Sequence, residues 1–258
     1  AANAAAVARR HRPGASVALC NLGCSKNVVD GERMLGYLES AGYRIIDDAS
    51  RADIVLVNTC AFIREAKQEA IDTILEMASL QGSAPDRSLV VCGCFSERYR
   101  DEVAAQFPEV DYWVGVHTWE KEFVTLFPGT PSPHDPRKLT VPGGTQYLKI
   151  AQGCSHRCSF CVIPSIRGPF RSRPYEEILQ EARWLADQGV NECIVVSQDT
   201  TGYGRDHGRS LPWLLERLLK DTPFPWIRLM YLSPARVDNA LLDLVATEKR
   251  RHKSEVRP

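Results

Sequence analysis

Ile54-Val-Leu-Val-Asn-Thr-Cys60 is an aliphatic run that ends in two polar residues and a thiol. The run is too short for a helix and reads as one strand of a parallel α/β layer. Working outward, Val17–Leu22, Leu89–Val91 and Tyr112–Val114 are further runs of this kind, and Tyr43–Ile46 is a weaker one. Stretches of helical period lie between them, the clearest carrying Ala66, Ala70, Ile71, Ile74, Leu75 and Ala78 as a single apolar stripe. Alternating strands and helices predict an open parallel α/β (Rossmann-like) domain over residues 16–127.

Three of these strands are followed at once by a cysteine, in Leu22-Gly-Cys24, Asn58-Thr-Cys60 and Cys92-Gly-Cys94. The carboxyl ends of parallel strands share one edge, where ligands bind, so thiols distant in sequence are expected to meet there. Gly23 and Gly93 permit close backbone approach. Ser25-Lys-Asn and Ser96-Glu-Arg look like helix starts, whose N-termini stabilise thiolates. Cys24, Cys60 and Cys94 are therefore candidate ligands of an iron–sulfur cluster, against the plainer alternative that buried cysteines are ordinary small hydrophobes. Cys20, Cys92 and Cys193 lie within apolar strands and are assigned to packing.

A Pro/Gly/Thr-rich stretch over 128–144 reads as a linker. A second βα series follows: Tyr147–Ala151, a helix from Pro174 to near Gly189, Cys193–Val196, a helix with Leu214, Leu215, Leu218 and Leu219, Ile227–Leu232, and a last helix with Val237, Leu241 and Val245. Three βα units suggest part of a barrel over residues 145–247, well short of the about 250 residues of an eightfold one. Near its start stands Gly153-Cys-Ser-His-Arg-Cys-Ser-Phe-Cys161. Cys154, Cys158 and Cys161 can hold three irons of a 4Fe–4S cluster and leave the fourth open to bind a small molecule. Zinc is the alternative, although it ordinarily takes four ligands and only His156 stands nearby. Adjacent disulfides would be unusual in a charged chain without a secretory signal.

With 32 basic and 32 acidic side chains, the chain has no overall field for gripping nucleic acid, which leaves a local basic patch as the alternative. No apolar run approaches a membrane span. Ala1–Ala8 is followed rather than preceded by arginines, the reverse of a signal peptide, so residues 1–15 read as a disordered lead-in. Nine cysteines in such a chain point to a reducing, cytoplasmic setting. Residues 248–258 are a charge run that reads as a solvated tail.

Together the two cysteine sets make the chain resemble the methylthiotransferases of the radical S-adenosylmethionine (SAM) superfamily. The resemblance runs from about Ser16 to Ala246. It is carried by Leu22-Gly-Cys-Ser-Lys-Asn-Val-Val-Asp30, Val57-Asn-Thr-Cys-Ala-Phe-Ile63, Gly93-Cys94 with Arg98-Tyr99, and Gly153–Gly168. It implies an incomplete radical SAM barrel in the second half and two 4Fe–4S clusters, one on Cys24, Cys60 and Cys94 and one, which binds SAM, on Cys154, Cys158 and Cys161. The SAM-binding cluster would generate a 5′-deoxyadenosyl radical, and the other would hold the sulfur that is transferred. Pro164-Ser-Ile-Arg-Gly168 and Ser197-Gln-Asp-Thr-Thr-Gly-Tyr-Gly204 look like the branch that methylthiolates an aspartate of ribosomal protein S12. The implied partners are S12 or the small ribosomal subunit, an electron donor and a sulfur source, with no membrane. Alternatives are the sister branch acting on a transfer RNA adenosine, and a non-catalytic iron–sulfur protein.

Phe160 and Gln198 are candidate SAM contacts; as alternatives, Phe160 packs internally and Gln198 caps a turn. Arg167, Arg171 and Arg173 form a basic cluster that can meet the SAM carboxylate, the substrate aspartate or ribosomal RNA, or be plain surface charge. Asp199 and Tyr203 carry no assignment. Gly31 stands where the family often has serine. Relative to the family, the remaining barrel strands and the small β-barrel module called TRAM are missing, so a C-terminally truncated member is expected.

Overall fold

The computed structural model describes residues 4–80, 86–129, 137–141 and 143–255, with side chains as far as residue 248. The chain divides into two compact units, Ala1–Thr140 with Ser165–Arg167, and Val141–Pro164 with Gly168–Pro258.

In the first unit the elements are α1 (Ala4–Arg10), β1 (Ser16–Asn21), α2 (Ser25–Ser40), β2 (Arg44–Ile45), β3 (Ile54–Thr59), α3 (Arg64–Ser79), β4 (Ser88–Gly93), α4 (Cys94–Val103), β5 (Tyr112–Val114) and α5 (Trp119–Leu126). The strands form one parallel sheet in the order β2-β1-β3-β4-β5. Every residue of β3 and β4 is buried, as expected of central strands covered on both faces. Ile54 and Leu56 enter one core with Val17, Met34, Leu38, Phe123 and Phe127. Val55 and Val57, one step along the pleat, are buried toward the opposite face. Edge-to-face contacts of Phe123 with Tyr37, Trp119 and Phe127 complete the first face, each pair adding about 1 kcal/mol beyond area burial.

Three expectations need correction in this unit. Of the expected disordered lead-in over 1–15, residues 1–3 lie outside the described residues and the rest is ordered: Ala4–Arg10 is helical and Val7 is fully buried in the core. The alanine run has the highest helix propensity available, and the helix is fastened by Arg10 to Asp111 at 2.6 Å and by His11 to Ser88 at 2.9 Å. On α3 the buried stripe is Ala70, Ile74 and Met77, while Leu75 is half exposed. The described part of 128–144 is no free linker either. Tyr43 donates to the Pro128 carbonyl, and the fully buried Glu32 accepts from Arg137, from the Thr140 amide at 2.7 Å and from the Thr140 hydroxyl at 2.9 Å. Residues 130–136 and 142 lie outside the described residues.

The second unit contains β6 (Thr145–Lys149), β7 (Ala151–Gln152), α6 (Ile163–Arg167, whose last three residues belong to the first unit), β8 (Arg171–Ser172), α7 (Tyr175–Asp187), β9 (Glu192–Val196), α8 (Leu211–Asp221), β10 (Trp226–Leu229) and α9 (Asn239–Glu255). β6, β9 and β10 form a parallel sheet in the order β10-β9-β6, and β7 pairs antiparallel with β8. The sheet is covered by the apolar stripes of α7 (Ile178, Ala182, Leu185) and α8 (Leu211, Leu214, Leu215, Leu218). Ser210 caps α8 by accepting from the Trp213 amide, with Pro212 in the first turn. The expected tail from residue 248 is instead the continuation of α9 to Glu255; residues 256–258 are outside the described part.

Candidate metal centres

In the first unit, parallel register sets the ends of β1, β3 and β4 side by side, with Asn21 opposite Asn58 and Thr59 opposite Gly93. Cys24 is the N-cap of α2, Cys60 follows β3, and Cys94 opens α4. The three thiols therefore converge. A β-carbon built on Gly23 would stand 2.7 Å from Cys60 Cβ and 3.3 Å from its sulfur. Asn27 Oδ1 lies 3.9 Å from the sulfurs of both Cys24 and Cys94. Both N–H groups of Asn27 are committed, one to the Leu22 carbonyl at 3.0 Å and one to the Thr59 carbonyl at 2.9 Å, so its oxygen is the end that faces the thiols. Gly93, at φ +92°, packs where a β-carbon would fall 2.5 Å from Asn58 Oδ1 and 2.6 Å from the Thr59 carbonyl. Asn58 holds this edge by donating to Asn21 at 2.7 Å and to the Asn27 carbonyl at 2.8 Å.

Arg167 closes the arrangement. Its guanidinium is almost fully buried and donates through Nε to Cys94 sulfur at 3.2 Å, through Nη2 to Asn27 Oδ1 at 2.5 Å, and through Nη1 to Asp30 at 2.6 Å. Burial pushes the Cys94 thiol up, and the charge and hydrogen bond of Arg167 pull it back.

The second set lies on one loop after β7. Cys154 is buried, Cys161 half-buried and Cys158 exposed. The loop is turned by the Cys161 amide on the Cys158 carbonyl at 3.1 Å and closed by the Cys154 amide on the Gly168 carbonyl at 3.1 Å. Burial raises the Cys154 thiol, opposed by a hydrogen bond from the His156 backbone. The His156 ring is held by Asp199 at 2.9 Å, and the buried Asp199 also takes Thr201 at 2.6 Å and Arg236.

That contact occupies Nε2, so Nδ1 is the ring nitrogen His156 has left to offer a metal. Among the described residues, however, no three His, Cys, Asp or Glu groups stand close enough to share one ion. A mononuclear zinc site needs thiolates packed about one metal at about 2.3 Å, whereas the thiolates of a cubane bind separate irons and stand further apart. Both donor sets are all-thiol, which is the donor chemistry that ligation of a cluster requires, and one of them has an arginine donating to a sulfur.

Phe160 is 87% exposed, which removes internal packing as its role. Gln198 follows β9, and its Oε1 is buried without a hydrogen-bond partner among the described residues. The three arginines do not form a surface cluster: Arg167 is buried, Arg173 is spent on Glu181 at 2.6 Å and the Lys149 carbonyl at 2.7 Å, and Arg171 is exposed. Tyr203 is fully buried and donates to the Arg173 carbonyl; burial pushes its hydroxyl up to about 12. Sequence reasoning missed Asn27 and Asp30 as site residues. The signal was the three-residue step Cys24, Asn27, Asp30, which puts them on one face of the first turns of α2.

Residues 16–115 match the uncharacterized protein family UPF0004, and residues 148–248 match the radical SAM superfamily. The chain belongs to the radical SAM superfamily and carries a UPF0004 domain ahead of the radical SAM domain. Among its relatives is the ribosomal protein uS12 methylthiotransferase RimO of Geotalea uraniireducens, 45% identical over 90% of this chain and 56% of the relative. RimO of Aquifex aeolicus is 44% identical over 91% of this chain and 53% of the relative. The chain thus spans little more than half the length of these proteins. A solved structure of similar fold is the radical SAM methyltransferase TsrM from Kitasatospora setae, with TM-score 0.58, 18% identity, and coverage of 90% of this chain and 59% of that one. No helix among the described residues is long and apolar enough to cross a membrane.

Proposed function

We propose that the chain is the cluster-bearing part of a methylthiotransferase that modifies the β-carbon of an aspartate in ribosomal protein S12, working in the cytoplasm. The observation that carries this reading is the meeting of Cys24, Cys60 and Cys94 at one sheet edge, in a chain that also has the three-thiol loop of Cys154, Cys158 and Cys161. A radical SAM enzyme that only cleaves SAM needs the loop set alone; transfer of a sulfur group gives the second set its purpose. The 42–45% identity to proteins named for uS12 methylthiotransfer supports the choice of substrate.

When bound, SAM and its cluster supply one-electron chemistry strong enough to take hydrogen from an unactivated carbon. Such chemistry is required, because the β-carbon of an aspartate offers no proton that a side-chain base can remove near neutral pH. In this reading the loop thiols hold the SAM-binding cluster, Asp199 and His156 keep the loop in shape, and Gln198 and Phe160 line the SAM site. Cys24, Cys60 and Cys94 hold a second cluster for the transferred sulfur. An electron donor and a sulfur source complete the system.

The test is an iron count followed by product mass. After anaerobic reconstitution the chain should bind about eight irons, and the Cys154/Cys158/Cys161→Ala variant about half of them. Wild type that never exceeds about four irons refutes the second cluster. The full-length protein should add the mass of sulfur plus a methylene to one S12 aspartate. A modified transfer RNA adenosine with untouched S12 would reject the substrate and leave the clusters standing.

A further inference from the structure

Arg167 lies six residues beyond Cys161 in the sequence, yet its side chain is spent on the other cysteine set. All three edges of the guanidinium are used, each on a different group: Cys94 sulfur, Asn27 Oδ1 and Asp30. An ion pair that served only the fold would need Asp30 alone. The Nε–H is aimed at a sulfur 3.2 Å away, which is a poor acceptor as a thiol and a good one as a thiolate.

The Asn27 oxygen points to the same conclusion. It stands 3.9 Å from the sulfurs of both Cys24 and Cys94, where a bare carboxamide dipole would repel two thiolates. Arg167 Nη2 caps that oxygen and turns an unfavourable neighbour into a bridge between the cation and the sulfurs. Nor can a lysine copy this, since a single ammonium cannot present three fixed donors to three acceptors in the plane of a fork.

We propose that Arg167 is a positioning residue of the Cys24, Cys60 and Cys94 centre: its rigid fork ties the Cys94 sulfur, the Asn27 carboxamide and the Asp30 carboxylate into one unit and offsets the negative charge the thiolates bring. This inference rests on the reading that these cysteines hold a cluster. Hydrogen bonds and charge beside ligand sulfurs set both the hold on the metal and the reduction potential, so removal of Arg167 should move both.

The experiment uses the full chain with Cys154, Cys158 and Cys161 replaced by alanine, so that only this centre takes up iron. Arg167→Lys and the double variant Arg167→Gln with Asp30→Asn are compared with that parent; the double variant leaves no unpaired buried carboxylate. We expect the double variant to release iron to a chelator about tenfold faster, with a shifted EPR signal and a lower midpoint potential, and Arg167→Lys to fall between. Variants that match the parent in release rate, EPR signal and potential would overturn the proposal while the cluster stands. Faster release with unchanged EPR signal and potential, in step with a lower unfolding temperature of the iron-free chain, would also overturn it by showing a role in the fold alone. A parent that binds no iron would remove the centre itself, and this inference with it.

Discussion

Replacing Gly93 by alanine tests how the sheet edge holds its thiols. Gly93 has φ +92° and ψ −156°, a region that only glycine enters freely, and a side chain forced there costs on the order of 1–3 kcal/mol. The added β-carbon would lie 2.5 Å from Asn58 Oδ1, 2.6 Å from the Thr59 carbonyl and 2.8 Å from the Thr59 amide. Two of those atoms are backbone of a central strand, which cannot step aside as a flexible side chain can, so a further penalty of about 1–3 kcal/mol follows. The sum, about 4 kcal/mol, is a large part of the roughly 5–15 kcal/mol that holds a domain together. Gly14 is the control: its φ is +100°, but nothing lies within 4 Å of an added β-carbon, so Gly14→Ala should show a backbone term of about 1–2 kcal/mol and no more. Urea unfolding of the iron-free chain, followed by circular dichroism, measures both. Because the displaced residues adjoin Cys60 and Cys94, Gly93→Ala should also lose iron from the first unit and keep that of the Cys154 loop. Equal destabilisation by the two substitutions would show that Thr59 and Asn58 do not crowd Gly93, and the account of the edge would fail.

Three further outcomes are expected. Glu32→Gln leaves the buried Arg137 guanidinium without its carboxylate and should destabilise the first unit by about 3–5 kcal/mol in the same urea assay, with Glu32→Met plus Arg137→Met recovering only part of the loss, because the Thr140 amide and hydroxyl still lose their acceptor. His11 is buried beside Ser88, and burial holds its pKa below the ordinary 6.5, so the unfolded chain takes up the proton first. Stability is therefore full above pH 6.5 and declines as pH falls from there through the lowered folded value; His11→Gln should flatten that limb of a pH series of unfolding temperatures. Val7→Ala should cost about 2 kcal/mol, whereas a lead-in free of the core would show no change in unfolding free energy.

Much of the fold can be read directly from local pattern. The runs at Ile54–Val57 and Leu89–Val91 lie in β3 and β4 because central parallel strands are covered on both faces and so tolerate no polar alternation. The meeting of Cys24, Cys60 and Cys94 can be inferred because parallel strands put their carboxyl ends on one edge, a rule that needs no side-chain detail. What escapes such reading depends on partners far away in the chain. Arg167 looks like any surface arginine until Asp30, 137 positions earlier, is found to neutralise it. Glu32 and Arg137 are likewise 105 positions apart, and only their pairing shows that Arg137 is tied to α2. The first residues escape for a different reason: charge order excludes a signal peptide, but it does not weigh helix propensity or the one valine that fills a core.

The two thiol sets differ in what fixes them. Cys154, Cys158 and Cys161 are placed by one loop, through two backbone hydrogen bonds and the Asp199–His156 contact, so their geometry is local and one of them can stay exposed. Cys24, Cys60 and Cys94 are placed by the register of three strands, and a slip of one residue in any of them would turn a thiol to the opposite face. Such a site cannot be tuned by its own loop. It needs groups that reach across the edge, and Asn27, bonded to the Leu22 and Thr59 carbonyls, and Arg167, bonded to Cys94 and Asn27, are the groups that do so. Their burial and their lack of slack follow from that role, because a donor fork can hold sulfurs from separate strands in place only if it is itself immobile, and the ion pair with Asp30 makes it so.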